Sequence, residues 1–309
     1  MGPADFRLRY RGSDAPSMKK FAVTILLILG YLTPGLFAGE AKKVVFIAGP
    51  PSHGPGEHEH RAGCLLLQSC LGKLPGVTSV VCSNGWPQDP ASAFAGASTV
   101  VIYSDGGGGH PFLQGDRLET IRQLMNQGVG LVCIHYAVEP TKEKGEREFL
   151  DWMGGCFEVD WSVNPSWDAE FKSFPQHAIT RGVKPFKLHD EWYFHMRFRE
   201  GMQGVTPILT AVAPESTMRR PDGPHEGNPA VRASVQRHEP QCMAWALERP
   251  NGGRGFGFTG GHYYKNWGND DFRKVVLNAI LWTAKMEVPP EGAQSQVTAE
   301  ELKSNLDAK

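Results

Sequence analysis

The sequence predicts one α/β domain with a mainly parallel sheet and a β-rich insertion. Three observations carry this. Apolar strand-like runs alternate with amphipathic helical stretches, the pattern changes after about residue 155, and the first pattern returns near the end. Runs at 43–48, 99–104, 130–134 and 255–259 are largely apolar rather than alternating, as expected of strands covered on both faces. Between the first two, residues 61–73 carry the stripe Leu65, Leu66, Leu67 and Leu71, and a short strand at 78–82 follows the turn Pro75-Gly76. A helix at 116–127 has Leu118, Ile121, Leu124 and Met125 at helical spacing, with Gly128 placed to end it. From about 156 to 245 short strand-like pieces (157–161, 167–171, 187–188, 192–198, 206–213) lie in polar, Pro-rich surroundings. The α/β alternation resumes with a strand at 243–247 and a last helix at 270–285, whose Phe272, Val275, Val276, Ala279 and Ile280 form the buried stripe. The organisation is an N-terminal extension (1–41), the α/β domain (42–288) and a polar, loosely held tail (289–309).

Bulk composition narrows the function. The chain has 309 residues, 40% hydrophobic and 21% charged, with a formal net charge of -1. No clustered basic surface stands out, so a nucleic-acid partner is not expected. Lys19 and Lys20 precede an apolar run at 21–32, then Pro34, Ala38 and Gly39. That is the pattern of a secretory signal peptide cleaved near Ala38, with export to the periplasm or beyond; an uncleaved anchor is the alternative. Met18 is a plausible true start, which would leave 1–17 untranslated. Of six cysteines, Cys133 falls inside an apolar strand and Cys64 and Cys70 in a helical stretch, which reads as small buried side chains. No Cys-x-x-Cys pair supports a zinc ribbon.

The chemistry gathers where strands end. His53, His58 and His60 follow the first run, Asp105 and His110 the second, His135 the third and His262 the fourth. In a parallel α/β sheet, ligands bind at the carboxyl ends of the strands. His58 and His60 would share a face if extended, a spacing that chelates a metal; a solvated loop leading into a helix is the competing account. His135 is the apex where strand 130–134 meets helical sequence, the geometry of a nucleophile elbow, but Cys133 is two positions early and buried. Cysteine hydrolysis and amidotransfer are therefore not expected. His135 is either functional or packs the turn. Asp190 and Glu191 point to opposite faces of a strand, so only one readily enters a given site. A surface pairing with Arg197 or Arg199 is the competing account. His262 either serves the site or caps the last helix. The run Asp105-Gly106-Gly107-Gly108-Gly109-His110 lacks a Gly-Lys-Ser/Thr ending, which argues against a nucleotide cofactor and for a loop that closes over the site.

The segments 130–137, 177–182 (His-Ala-Ile-Thr-Arg-Gly), 189–193 (His-Asp-Glu-Trp-Tyr) and 255–262 (Gly-Phe-Gly-Phe-Thr-Gly-Gly-His) together resemble the ThuA-like (trehalose-utilisation) family, in matching order, over about residues 43–286. The resemblance implies a Rossmann-like, class I glutamine amidotransferase-like (flavodoxin-like) fold without its cysteine nucleophile. Ala178 departs from the proline usual after that histidine. The resemblance also implies a link to sugars, particularly oxidised (keto) disaccharides, so a small-molecule carbohydrate is the expected partner. Expected catalytic residues are His135, Glu191 and His262. Asp105, Tyr136, Trp161, Asp190, Tyr193 and Trp267 are expected at the substrate, the aromatics packing on sugar rings. A divalent metal such as zinc would be held by His53, His58, His135 and His262. A carbohydrate-binding protein without catalysis is the alternative.

Overall fold

The computed structural model describes residues 41–309, together with Met1, Gly2, Arg9 and Gly12. The segment read as a signal peptide and its cleavage point lie outside the described residues. From residue 41 onward the chain belongs to one compact unit.

Alternation of strand and helix builds the first half: β1 (Lys42–Ala48), α1 (His60–Leu71), β2 (Val77–Cys82), α2 (Pro90–Phe94), β3 (Ala97–Tyr103), α3 (Arg117–Asn126), β4 (Gly130–Ile134) and α4 (Glu146–Met153). The insertion contributes β5 (Gly155–Cys156), β6 (Ser166–Phe171), β7 (Phe186–Glu191), β8 (Arg197–Phe198), β9 (Val205–Val212) and α5 (Pro229–Gln236). The chain then closes with β10 (Pro240–Glu248), β11 (Arg254–Phe258) and α6 (Asp270–Thr283). Seven strands form the main sheet in the order β2-β1-β3-β4-β11-β10-β9. The first five are parallel, and β10 runs antiparallel to both β11 and β9. Side-chain alternation splits the interior. Val44, Phe46 and Ala48 face α1 and α6, while Val45 and Ile47 face α3 and α4.

Placing β4 between β3 and β11 brings three loops to one edge, after β3, β4 and β11. The loop after β1 joins them by backbone contacts. His58 N–H donates to the His262 carbonyl at 3.1 Å and Tyr264 N–H to the Gly56 carbonyl at 2.9 Å.

Three expectations need correction. Residues 157–161 do not form a strand: they turn, Ser162 N–H donating to the Glu158 carbonyl and the Ser162 hydroxyl accepting from Glu158 N–H. The piece at 192–198 is broken by His195, whose φ of 55° is left-handed, leaving a bridge at Phe194 and the two residues of β8. The tail is not loosely held. Ala293 is buried and its N–H donates to Asn278, while buried Arg273 of α6 donates to the Ser295 hydroxyl and carbonyl. Further on, Asp307 N–H donates to buried Glu59, and the Lys309 ammonium lies 3.4 Å from the same carboxylate.

Candidate metal centre

Four segments meet. His58 comes two residues before α1, His135 follows directly on β4, Glu191 ends β7 and His262 follows β11. His135 has a left-handed φ of 57° and opens a short 3-10 turn, so the elbow exists with imidazole at its apex. His58 Nε2 lies 3.0 Å from His135 Nε2 and 3.0 Å from His262 Nδ1. Glu191 Oε2 is 3.2 Å from His262 Nδ1 and 3.5 Å from His135 Nε2. Ligands about 2.0 Å from a tetrahedral metal stand about 3.3 Å apart, so the spacing matches a first coordination shell.

The outer contacts fix which nitrogen carries the proton. His58 Nδ1 is 2.7 Å from Asp105 Oδ1, and the Ser52 hydroxyl donates to the same oxygen at 2.9 Å. His135 Nδ1 donates to the Thr259 carbonyl at 2.8 Å. Both partners only accept, so both Nδ1 atoms are donors and both Nε2 atoms present lone pairs. Two lone pairs therefore face each other at 3.0 Å in a buried place. A shared proton is disfavoured there. Burial brings His58 down to about 4, only partly offset by the hydrogen bond to Asp105. Burial, then the neighbouring His58 and His262, push His135 far lower. A cation between the nitrogens resolves the clash, and the residues present fit one. Burial tends to raise Asp105, but the hydrogen bond from His58 and the nearby His60 bring it to about 2, so it remains an ionised acceptor. His262 is lowered by burial but raised more by Glu191, and its Nε2 lies 3.6 Å from Glu57. The His58 and His135 rings are thus each backed by a hydrogen-bonded oxygen acceptor, the arrangement that orients metal-binding histidines.

The expected site residues separate into groups. His58, His135, Glu191 and His262 converge, with donor atoms within 4.8 Å of one another. Glu191 is not spent on an arginine, since Arg197 pairs with Glu158, and α6 is capped by Asn269 rather than His262. His53 stays outside the four: it stacks on His58 with ring centroids 3.6 Å apart, and its Nδ1 turns to Ser52 at 3.1 Å. Asp105 holds His58, and with His53 and His58 it makes a second group whose donor atoms lie within 4.8 Å of one another. Tyr193 is buried with its hydroxyl 3.2 Å from His135 Nε2, and half-buried Tyr136 has its ring 6.2 Å from that of His58.

Three substrate expectations are corrected. Asp190 is fully buried and accepts from the N–H groups of Glu191, Gly261, His262 and Tyr263 and from Asn266, so it anchors the loop after β11. Trp267 is fully buried against Tyr103 and Phe272. Trp161 packs on His195 and under the Arg197 guanidinium, away from the four donors. The glycine loop after β3 is also fixed in part: a Cβ on Gly106 would collide with the backbone of Tyr136 and Glu139. Residues that went unread in the sequence are Ser52, Thr259, Glu139 and His225. Glu139 had one signal, its place four residues after His135; His225 had none.

This fold and this histidine–carboxylate centre define a class of α/β proteins with a strand-end metal-type site in place of a nucleophile. The trehalose utilisation family model, ThuA, matches residues 89–283, more than half the chain, and the protein belongs to that family. A ThuA-like protein from Bacteroides uniformis is similar in structure, with a TM-score of 0.57 and 13% identity over 81% of this chain and 94% of that one. Another from Parabacteroides merdae has a TM-score of 0.52 and 14% identity over 79% and 90%. Among curated proteins none matches.

Proposed function

We propose that the chain is an exported enzyme that holds a divalent metal such as zinc and acts on a carbohydrate bearing a carbonyl group. The observation that carries the reading is the pair of lone pairs on His58 and His135, 3.0 Å apart, with Glu191 and His262 completing a four-donor set. A cation there supplies Lewis acidity to an oxygen of the bound sugar. Around it the protein's groups orient and donate. Asp105 and the Thr259 carbonyl lock two rings. Tyr193 holds a hydroxyl beside the donors, and half-buried Tyr136 offers its aromatic face to sugar C–H groups. Family membership supports a sugar as substrate, and the basic-then-apolar segment ending near Ala38 supports export. No nucleotide cofactor is part of the reading.

The test is elemental analysis of the secreted protein with a screen of oxidised disaccharides by NMR. About one bound metal per chain and conversion of a keto-sugar are expected. Protein that neither carries metal nor takes up zinc on dialysis overturns the metal assignment. An intact N-terminus on secreted material, seen by mass spectrometry, overturns cleavage near Ala38.

A further inference from the structure

Beside the four donors stands a second imidazole–carboxylate pair. Glu139 follows His135 by one turn and its side chain is 2% exposed; His225 reaches it from the insertion and is 30% exposed. His225 Nε2 lies 2.9 Å from Glu139 Oε1 and 3.1 Å from Oε2. The Nε2–H therefore donates to the carboxylate, and Nδ1 carries a lone pair that no side chain or backbone group occupies among the described residues.

A line of ring contacts and a shared neighbour, Gly107, relate this pair to the centre. The His225 ring stacks on Phe157 at 5.1 Å, Phe157 meets Tyr193 edge-on at 5.3 Å, and Tyr193 lies 4.7 Å from the His135 ring. On the other flank, a Cβ at Gly107 would sit 3.5 Å from both Glu139 Oε1 and the Tyr136 hydroxyl. His225 is also rigidly set. It holds a left-handed φ of 65°, its N–H donates to the Val159 carbonyl at 2.9 Å, and its carbonyl accepts from Asn164 N–H and from Arg220, both at 3.1 Å. A strained residue pinned on both sides is the usual mark of a preorganised group. The hydrogen bond that His225 donates to Glu139 raises His225, and the charge of Glu191 adds to the effect.

We propose that His225 is the catalytic residue that moves a proton at this centre, taking it through Nδ1 from the carbon next to the carbonyl of a keto-sugar, with Glu139 as its positioning residue. The inference rests on the reading of the centre given above. In the step, Nδ1 gains the proton, the C–H electron pair becomes a carbon–carbon double bond, and the carbonyl π pair moves onto its oxygen. The imidazolium keeps its bond to Glu139. Where the α carbon bears a hydroxyl, its O–H proton passes to the former carbonyl oxygen, its C–O becomes the new carbonyl, and the imidazolium returns its proton to the former carbonyl carbon, which gives the isomeric keto-sugar. Departure of an oxygen substituent from the β carbon, protonated by the same imidazolium, gives an elimination.

Three measurements test this on the full chain: metal content, exchange of the sugar's α-protons in D2O followed by proton NMR with a keto-disaccharide as probe, and the 15N signal of His225 Nδ1. Metal content should be equal in wild type, His225→Gln and Glu139→Gln. Exchange should fall about 100-fold or more in His225→Gln, and less in Glu139→Gln. The Nδ1 signal should move when the keto-disaccharide is added and stay still with the unoxidised parent sugar, a response that a packing role would not give. Exchange in His225→Gln equal to wild type, or an Nδ1 signal indifferent to the keto-sugar, overturns the inference alone. Wild-type protein that binds no metal, or exchanges nothing, removes the reading of the centre and the inference with it.

Discussion

His135 and Glu191 come within 3.5 Å of each other, yet they arrive by different routes. His135 follows directly on β4, whose last residue, Ile134, is paired on both sides by parallel neighbours, so a ladder of backbone hydrogen bonds sets its position. Glu191 ends β7, which pairs only with β6 outside the main sheet. Its position depends on the residue before it. Asp190 draws the N–H groups of Gly261 and His262 onto a buried carboxylate and so ties the insertion to the loop after β11. The sheet places one donor by strand pairing, and the insertion places another through a polar anchor. Substitutions in the two regions should therefore fail in different ways.

The largest effect is expected at the sheet-borne donor. His135→Ala should weaken metal binding more than 100-fold, since even losing a group that only holds a ligand ring in place costs 10- to 100-fold, and should abolish turnover while the fold survives. Competition with a chelator and a circular dichroism melt read the two quantities. Full metal affinity in this variant would remove His135 from the donor set. In the insertion the neighbours Asp190 and Glu191 should separate sharply. Asp190→Ala strands buried N–H groups and is expected to cost about 3 kcal/mol or more of stability. Glu191→Gln should change stability by less than about 1 kcal/mol yet weaken metal binding. Equal stability losses on denaturant unfolding would erase the distinction between anchor and donor. A smaller effect belongs to the outer contact: Asp105→Asn should lower metal affinity about 10- to 100-fold by loosening the His58 ring. A change under twofold would mean that Ser52 alone holds it.

How much of this was legible depends on the same contrast. The parallel strands were readable because burial on both faces leaves nearly continuous apolar runs, and strand ends predict where loops converge. That logic found His58, His135 and His262. Glu191 was reached from the alternation of a strand and a family resemblance. Where position comes from cross-loop hydrogen bonds, periodicity is silent. Nothing in a Pro-rich stretch marks His225 as the partner of Glu139, and Asp190 looks no different from a surface acid until its five donors are seen. The aromatics misled for a related reason. Trp267 follows His262 closely in sequence, but the turn after it sends the indole into the core.

The smallest expected effect is a pH dependence that isolates the insertion's own pairing. His225 titrates above its usual value because Glu139 accepts its hydrogen bond; Glu191 adds to the shift and Arg220 opposes it. A group whose folded value is raised lends stability that is fully present below its unfolded value, about 6.5, and is lost as pH rises through the folded one. Glu139→Gln should therefore unfold more easily than wild type at pH 6, by on the order of 1 kcal/mol for a partly exposed pair. The gap should narrow as pH rises through the raised His225 value, so it should be smaller at pH 9 than at pH 6. Burial itself raises Glu139 and works in the variant's favour at every pH where the carboxylate is charged. That keeps the gap small but does not reverse its slope. Denaturant unfolding at the two pH values decides it. A gap that widens toward pH 9 would mean that the two side chains do not share a charge-assisted bond, and that Glu139 is held by its surroundings alone.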